Sequence, residues 1–227
     1  MADELCEVAV IAGTPYDSGL GADLLRAAGV AALPYATAAS PDEQDGLQDR
    51  SPHALDASFH DLLDLLRGQQ VRLAMLFCNS LSSVVNHDDT AIPVVSPLTV
   101  YREVLPGLRS SLVLTGNAHA LLGVERTARA VAPGHRMLGV SDPILLRGIE
   151  NGDPEAAFAA SHLPSTLRQA ERLGLAAVVL ACTHFTVIKE VIAASCDLPV
   201  IDIGTLLLDR TVTAVRDGAP QPIDISQ

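Results

Sequence analysis

The chain has 227 residues, 48% of them hydrophobic and 3% aromatic, with a formal net charge of −12 and a pI near 4.8. Such a composition supports a sizeable core built from Val, Leu, Ile and Ala, and it excludes global disorder. The acidic balance, without any cluster of Lys and Arg, excludes a general nucleic-acid binder, which must release counterions from phosphates.

Met1-Ala-Asp-Glu lacks the basic region of a signal peptide. Leu5 to Gly13 reads as a first strand, Gly13 to Gly21 as a loop, Ala22 to Ala28 as a short helix closed by Gly29, and Val30 to Tyr35 as a second strand. The polar stretch from Ala36 to Pro52 reads as a long loop, and its length suggests a flap over a site. His53 to Arg67 places Leu55, Phe59, Leu62, Leu63 and Leu66 on one helix face. The strand from Val71 runs into Cys78, and a short helix starts at Leu81. A strand at Ala91–Val95 and a helix at Pro97–Leu105 follow.

The alternation then restarts, with a strand at Ser111–Leu114, a helix at Ala118–Val131 and a strand at His135–Val140. A long helix at Pro154–Leu173 precedes a buried strand that begins at Leu175. A helix at Thr186–Ala194, a strand at Pro199–Ile203 and a helix at Thr205–Arg216 complete the order, and the Gly218-Ala-Pro-Gln-Pro tail is expected to fray. About eight strands alternating with helices predict an α/β protein of two similar parallel-sheet domains, with the active site in the cleft between them. The boundaries fall at residues 1–96 plus 205–227, with the last helix returning to the first domain, and at 97–204. No apolar run is long enough to span a bilayer, so no membrane partner is expected.

Four cysteines occur, at positions 6, 78, 182 and 196, and none forms a C-x-x-C pair. A cytoplasmic protein with reduced thiols and no metal site is the expectation. Two of the four share a setting. Val71 to Phe77 is an apolar run that delivers Cys78, Asn79 and Ser80, and Leu175 to Ala181 delivers Cys182, Thr183 and His184. In parallel α/β sheets ligands bind beyond the carboxyl ends of strands. There the chain offers two thiols, a carboxylate at Asp17, an imidazole at His184 and small donors at Ser18, Asn79, Ser80 and Thr183. Cys6 and Cys196 have no such neighbours and read as structural.

A pair of thiols suits inversion of a stereocentre. One removes a proton from one face of a carbon and the other returns a proton to the opposite face. A thiol with pKa ~8.5 can serve in both forms near neutrality. The bland alternatives are that each cysteine is a small buried hydrophobe and that Asp17 and Ser18 only cap a helix. Gly19-Leu-Gly21 lacks the third glycine of a dinucleotide loop. Lys189, the sole lysine, has no phosphate loop near it to hold a pyridoxal cofactor.

Several motifs carry a resemblance. Asp17-Ser-Gly-Leu-Gly21, Pro34-Tyr-Ala-Thr37, Cys78-Asn-Ser80, Ala181-Cys-Thr-His-Phe185 and Ile201-Asp-Ile-Gly204 are similar, in order and spacing, to motifs of glutamate racemases. These belong to the aspartate/glutamate racemase superfamily. The resemblance implies a cofactor-independent isomerase acting on an amino acid, glutamate or aspartate, as a homodimer. It assigns Cys78 and Cys182 as the two acid/base thiols, Asp17 as support for Cys78, His184 as support for Cys182, and Glu150 as a further supporting carboxylate. It places substrate contacts at Ser18, Tyr35, Ala36, Asn79, Ser80 and Thr183, and at Thr115 and Asn117 of the loop Leu114–His119. That loop departs from the family pattern. The superfamily also includes hydantoin racemases, maleate isomerases and decarboxylases, and a non-catalytic ligand-binding homologue is a further alternative.

Overall fold

Segments of two to six residues, most of them apolar and too short for helices, form the described strands of this protein. The computed structural model describes residues 7–48, 50–87 and 89–217, arranged as two units. Leu5 and Cys6, and the tail from Gly218, lie outside the described residues.

Unit 1 comprises the described residues up to Phe77, then Val85–Ser96 and those from Leu207 onward. Its elements are β1 (Val8–Ala12), α1 (Pro15–Ala27), β2 (Ala32–Ala36), α2 (Pro41–Gln48), α3 (Pro52–Gly68), β3 (Leu73–Leu76) and β4 (Val94–Val95). The strands are all parallel in the order β2-β1-β3-β4, with Ile11 level with Tyr35 on one side and Leu76 on the other. Every residue of β1 and β3 is buried, as a strand covered on both faces requires. Leu55, Phe59, Leu63 and Leu66 form the buried stripe of α3, and the Ser51 side chain caps its start by accepting from the Ala54 amide.

Unit 2 holds Cys78–Val84 and Pro97–Leu206. It contains α4 (Asn79–Ser82), α5 (Pro97–Val104), β5 (Ser110–Thr115), α6 (Ala118–Val131), β6 (Arg136–Ser141), α7 (Pro143–Glu150), α8 (Pro154–Ala160), α9 (Leu163–Arg172), β7 (Val178–Leu180), α10 (Lys189–Ala193) and β8 (Val200–Asp202). The last helix, α11 (Ile203–Arg216), starts here and continues into unit 1. The sheet is again wholly parallel, in the order β6-β5-β7-β8. Its core joins Leu112, Leu114, Val178 and Leu180 of the sheet to Leu145, Ile149, Phe158, Leu163 and Leu167 of the helices.

The two-sheet α/β class is as expected, while several local readings change. The expected loop at Gly13–Gly21 is mostly helix, because Thr14 caps α1 and Pro15 suits its first turn. The expected flap at Ala36–Pro52 contains α2, whose Gln44 side chain lies against Gly13. The expected long helix at Pro154–Leu173 is two helices. Ser161 is extended between them, and Pro164 starts the second. Helix α7 was not anticipated, although Asp142 and Pro143 form a standard helix start. The helix expected at Thr186–Ala194 begins as a 3-10 turn at Thr183–Ile188 before α10. Gly174, at φ +64, closes α9 and turns the chain toward β7.

Candidate active site

Both sheets run 2-1-3-4 in their own strand sequence, so in each the direction of crossover reverses between the first and third strands. That reversal is where parallel α/β sheets receive ligands. In unit 1 the loops leaving β1 and β3 flank it, and in unit 2 those leaving β5 and β7 do so. The two motif cysteines follow β3 and β7 and stand in equivalent local geometry. Cys78 precedes α4 with φ −156° and ψ 115°, and Cys182 precedes its 3-10 turn with φ −145° and ψ 126°. Neither side chain caps the helical turn it precedes, so neither thiol is committed to that structural role.

Around Cys182 the structure assembles a relay. The sulfur lies 3.9 Å from Nδ1 of His184, and Nε2 of His184 lies 2.7 Å from Oε1 of Glu150. An ionised carboxylate can only accept, so Nε2 carries the proton that bridges to Glu150. Nδ1 is then an acceptor for the thiol proton, or a donor to the thiolate once the ring is charged. His184 is 2% exposed, and the carboxylate beside it favours the imidazolium after proton uptake. Two segments build this relay. The 3-10 turn brings His184 back beside Cys182, and the C-terminal end of α7 delivers Glu150. Gly116 completes the surroundings of the thiol. A Cβ there would stand 2.6 Å from Leu146 Cδ1 and 3.2 Å from Cys182 Sγ, so only a hydrogen fits.

The turn carrying His184 is held from β8. Oδ1 of Asp202 accepts from Thr186 Oγ1 at 3.0 Å and from the Gly204 amide at 2.9 Å, while Oδ2 accepts from Thr205 Oγ1 at 2.6 Å. Asp202 is thus a buried carboxylate with its lone pairs used for structure.

At the other cysteine, Cys78 Sγ lies 3.4 Å from Ser80 Oγ, and the Ser82 hydroxyl donates to the Cys78 carbonyl at 2.6 Å. Asn79 is buried, and its Oδ1 accepts a short hydrogen bond from the Tyr101 hydroxyl. Tyr101 is fully buried on α5, and its phenol is pushed well above its ordinary range. Desolvation is the main cause, followed by the charges of Cys182 and Asp202.

In unit 1, Asp17 and Ser18 are buried in the first turn of α1, with the Asp17 amide donating to Thr14 Oγ1 at 3.3 Å and the Ser18 hydroxyl donating to the Thr14 carbonyl at 3.0 Å. Tyr35 donates to Gln69 Oε1 at 2.9 Å, and Ala36 is exposed at the end of β2. Thr183 is buried in the turn that carries His184. Thr115 is fully buried and its hydroxyl is engaged with Ser141 Oγ at 2.8 Å and the Asn117 carbonyl at 3.0 Å. Asn117 caps α6 by accepting from the Ala120 amide at 3.0 Å.

Sequence reasoning did not single out Tyr101 or Asp202. The Asp202 signal was present, as a lone carboxylate at a strand end inside Ile201-Asp-Ile-Gly204. Tyr101 gave none, because an aromatic on the inner face of a helix reads as core. No group of His, Cys, Asp and Glu among the described residues could hold a metal ion, and no described helix is long and apolar enough to cross a membrane.

No protein-family model matches the chain. The glutamate racemase of Enterococcus faecalis is 22% identical over 142 residues, 58% of this chain and 51% of that protein. The chain thus spans about half the length of the curated relatives it matches. Among solved structures, glutamate racemase isoform RacE1 from Bacillus anthracis superposes with a TM-score of 0.70 at 13% identity, covering 93% of this chain and 82% of that one. Glutamate racemase from Francisella tularensis, solved with D-glutamate, gives 0.65 at 17% identity, covering 96% and 84%.

Proposed function

We propose that this chain, which has the two-sheet fold of the aspartate/glutamate racemase superfamily and resembles its glutamate racemases in sequence, is a cofactor-independent amino-acid racemase. The observation that carries the reading is the Cys182–His184–Glu150 relay, built beside a sheet reversal and matched by a second cysteine in the same local geometry.

One thiolate takes the α-proton of the bound amino acid, and the electron pair of the C–H bond moves into the α-carboxylate. The other thiol then gives its proton to the opposite face, leaving the product enantiomer and a thiolate. Each turnover exchanges the roles of Cys78 and Cys182, and the reverse direction resets them. The α-proton is far less acidic than a thiol, so donors aimed at the carboxylate must supply the difference, at about 1.4 kcal/mol for each tenfold in rate. Asn79 and the backbone N–H groups after the two cysteines are of the right kind. His184 and Glu150 hold or release the Cys182 proton, and Asp17 is assigned to Cys78 by the family pattern. Thr115 and Asn117 shape the loop beside Cys182, since their polar atoms are engaged inside the unit.

Glutamate is the leading substrate, with aspartate next, because the relatives are glutamate racemases and one neighbour holds D-glutamate. The test is incubation of each enantiomer of both amino acids in deuterated water without pyridoxal cofactor. Deuterium should enter at the α-carbon as optical rotation decays. If no amino acid in a broad panel exchanges or inverts, the reading is wrong.

A further inference from the structure

We infer that Tyr101 is a positioning residue that sets the amide orientation of Asn79, so that the Asn79 N–H groups are presented to the carboxylate of the substrate. The inference rests on the racemase reading for the identity of that substrate, but its geometry stands by itself.

A buried phenol needs a partner for its hydroxyl. Tyr101 is 1% exposed, and the hydrogen bond it makes is to Asn79 Oδ1. Side-chain amides can be turned by half a revolution with little change in shape, so their orientation follows from the network around them. Here the network is decisive. With Nδ2 facing the phenol, the tyrosine oxygen would have to accept, and its own proton would need another acceptor. The surroundings also keep the phenol a donor. Burial and the negative charges of Cys182 and Asp202 oppose its ionisation, so the hydroxyl keeps its proton when the thiol gives up its own.

The opposite end of the amide carries the consequence. Asn79 is 5% exposed, and its Nδ2 has no hydrogen-bond partner among the described residues. An amide nitrogen buried without an acceptor is costly unless a ligand supplies one. Asn79 immediately follows Cys78, so an acceptor on a molecule bound at that thiol is the fitting chemistry. A carboxylate oxygen gives the charge-assisted form of this bond. In this arrangement α5 contributes to the site without touching the substrate.

The experiment is a double-mutant cycle read with D- and L-glutamate by turnover and by calorimetric Kd. Tyr101→Phe should raise KM and Kd about tenfold, the size of one charge-assisted hydrogen bond, with kcat changed less. Asn79→Ala should do at least as much, and the double variant should be no worse than Asn79→Ala alone. An equal loss from Tyr101→Phe in both backgrounds would mean that the tyrosine acts by packing, which overturns the inference. Asn79→Asp provides a check that leaves Tyr101 intact. It keeps an acceptor for the phenol and removes the N–H groups, so glutamate binding should fall while the circular dichroism spectrum stays that of the folded protein; unchanged binding would also overturn the inference. Should the wild type bind and turn over no amino acid, the racemase reading fails and the orientation is judged by nuclear magnetic resonance. The Asn79 side-chain amide signals should broaden and exchange faster in Tyr101→Phe, and identical signals would refute the link.

Discussion

Nε2 of His184 reaches Oε1 of Glu150 across 2.7 Å although 34 residues separate them in the chain. The contact joins the turn after β7 to the end of α7 and leaves Nδ1 facing Cys182. Glu150→Gln keeps an acceptor for the Nε2 proton and removes the charge that favours imidazolium. It should lower kcat about tenfold or more, within the range of general acid–base catalysis, and leave the circular dichroism spectrum unchanged. Steady-state kinetics in both directions check this. Equal kinetics in wild type and variant would remove Glu150 from the relay.

The paired geometry of the cysteines predicts a sharper asymmetry. Cys78→Ser and Cys182→Ser should each slow racemisation by about a hundredfold or more, because a serine hydroxyl does not ionise near neutrality. In a two-base mechanism, each variant retains α-proton exchange from one enantiomer only, and the retained enantiomer differs between the two. Separate exchange measurements on D- and L-glutamate decide the matter. One dispensable cysteine would point to a one-thiol reaction.

The Thr186–Asp202 hydrogen bond predicts an effect on stability. Thr186→Val removes one of three donors, among the described residues, to a buried carboxylate and should cost about 1–3 kcal/mol in chemical denaturation. Gly204→Ala would place a Cβ 2.4 Å from Thr186 Oγ1, forcing the same pair apart, with a similar cost. The two losses should not add, since both act through one contact.

Tyr101 predicts an alkaline limit. An unfolded tyrosine ionises near 10, while the folded phenol holds its proton to higher pH because it is desolvated and faces Cys182 and Asp202. Its contribution to stability is therefore intact below about pH 10 and is lost as pH rises from there toward the folded value. The raised thiol of Cys196, partly desolvated, acts with the same sign from about pH 9. In a Cys196→Ala background, the stability lost between pH 10 and 11 should shrink when Tyr101 is changed to Phe. Ultraviolet difference titration should place the Tyr101 ionisation, identified as the signal lost in Tyr101→Phe, above that of an ordinary phenol.

The sequence by itself determined the class of the fold and the position of Cys78 and Cys182 at strand ends. Both depend on local pattern. A run such as Leu73–Leu76 or Val178–Leu180 is too apolar for a surface and too short for a helix, so it becomes a covered strand. Chain order then places Cys78 and Cys182 just past the carboxyl ends of such strands. Helix ends were less legible where a cap or a proline outweighed hydrophobic periodicity, as at Thr14 and Ser161. Tertiary structure alone decided what surrounds the site. Glu150 meets His184 because α7 packs onto the turn after β7. Tyr101 meets Asn79 because α5 turns that side chain inward, and Asp202 holds Thr186 because β8 lies beside β7. Each of these pairs is distant in the chain and joined by one hydrogen bond between buried or partly buried groups. Such a bond leaves no periodicity in sequence, because only the packing of separate elements sets its length and direction.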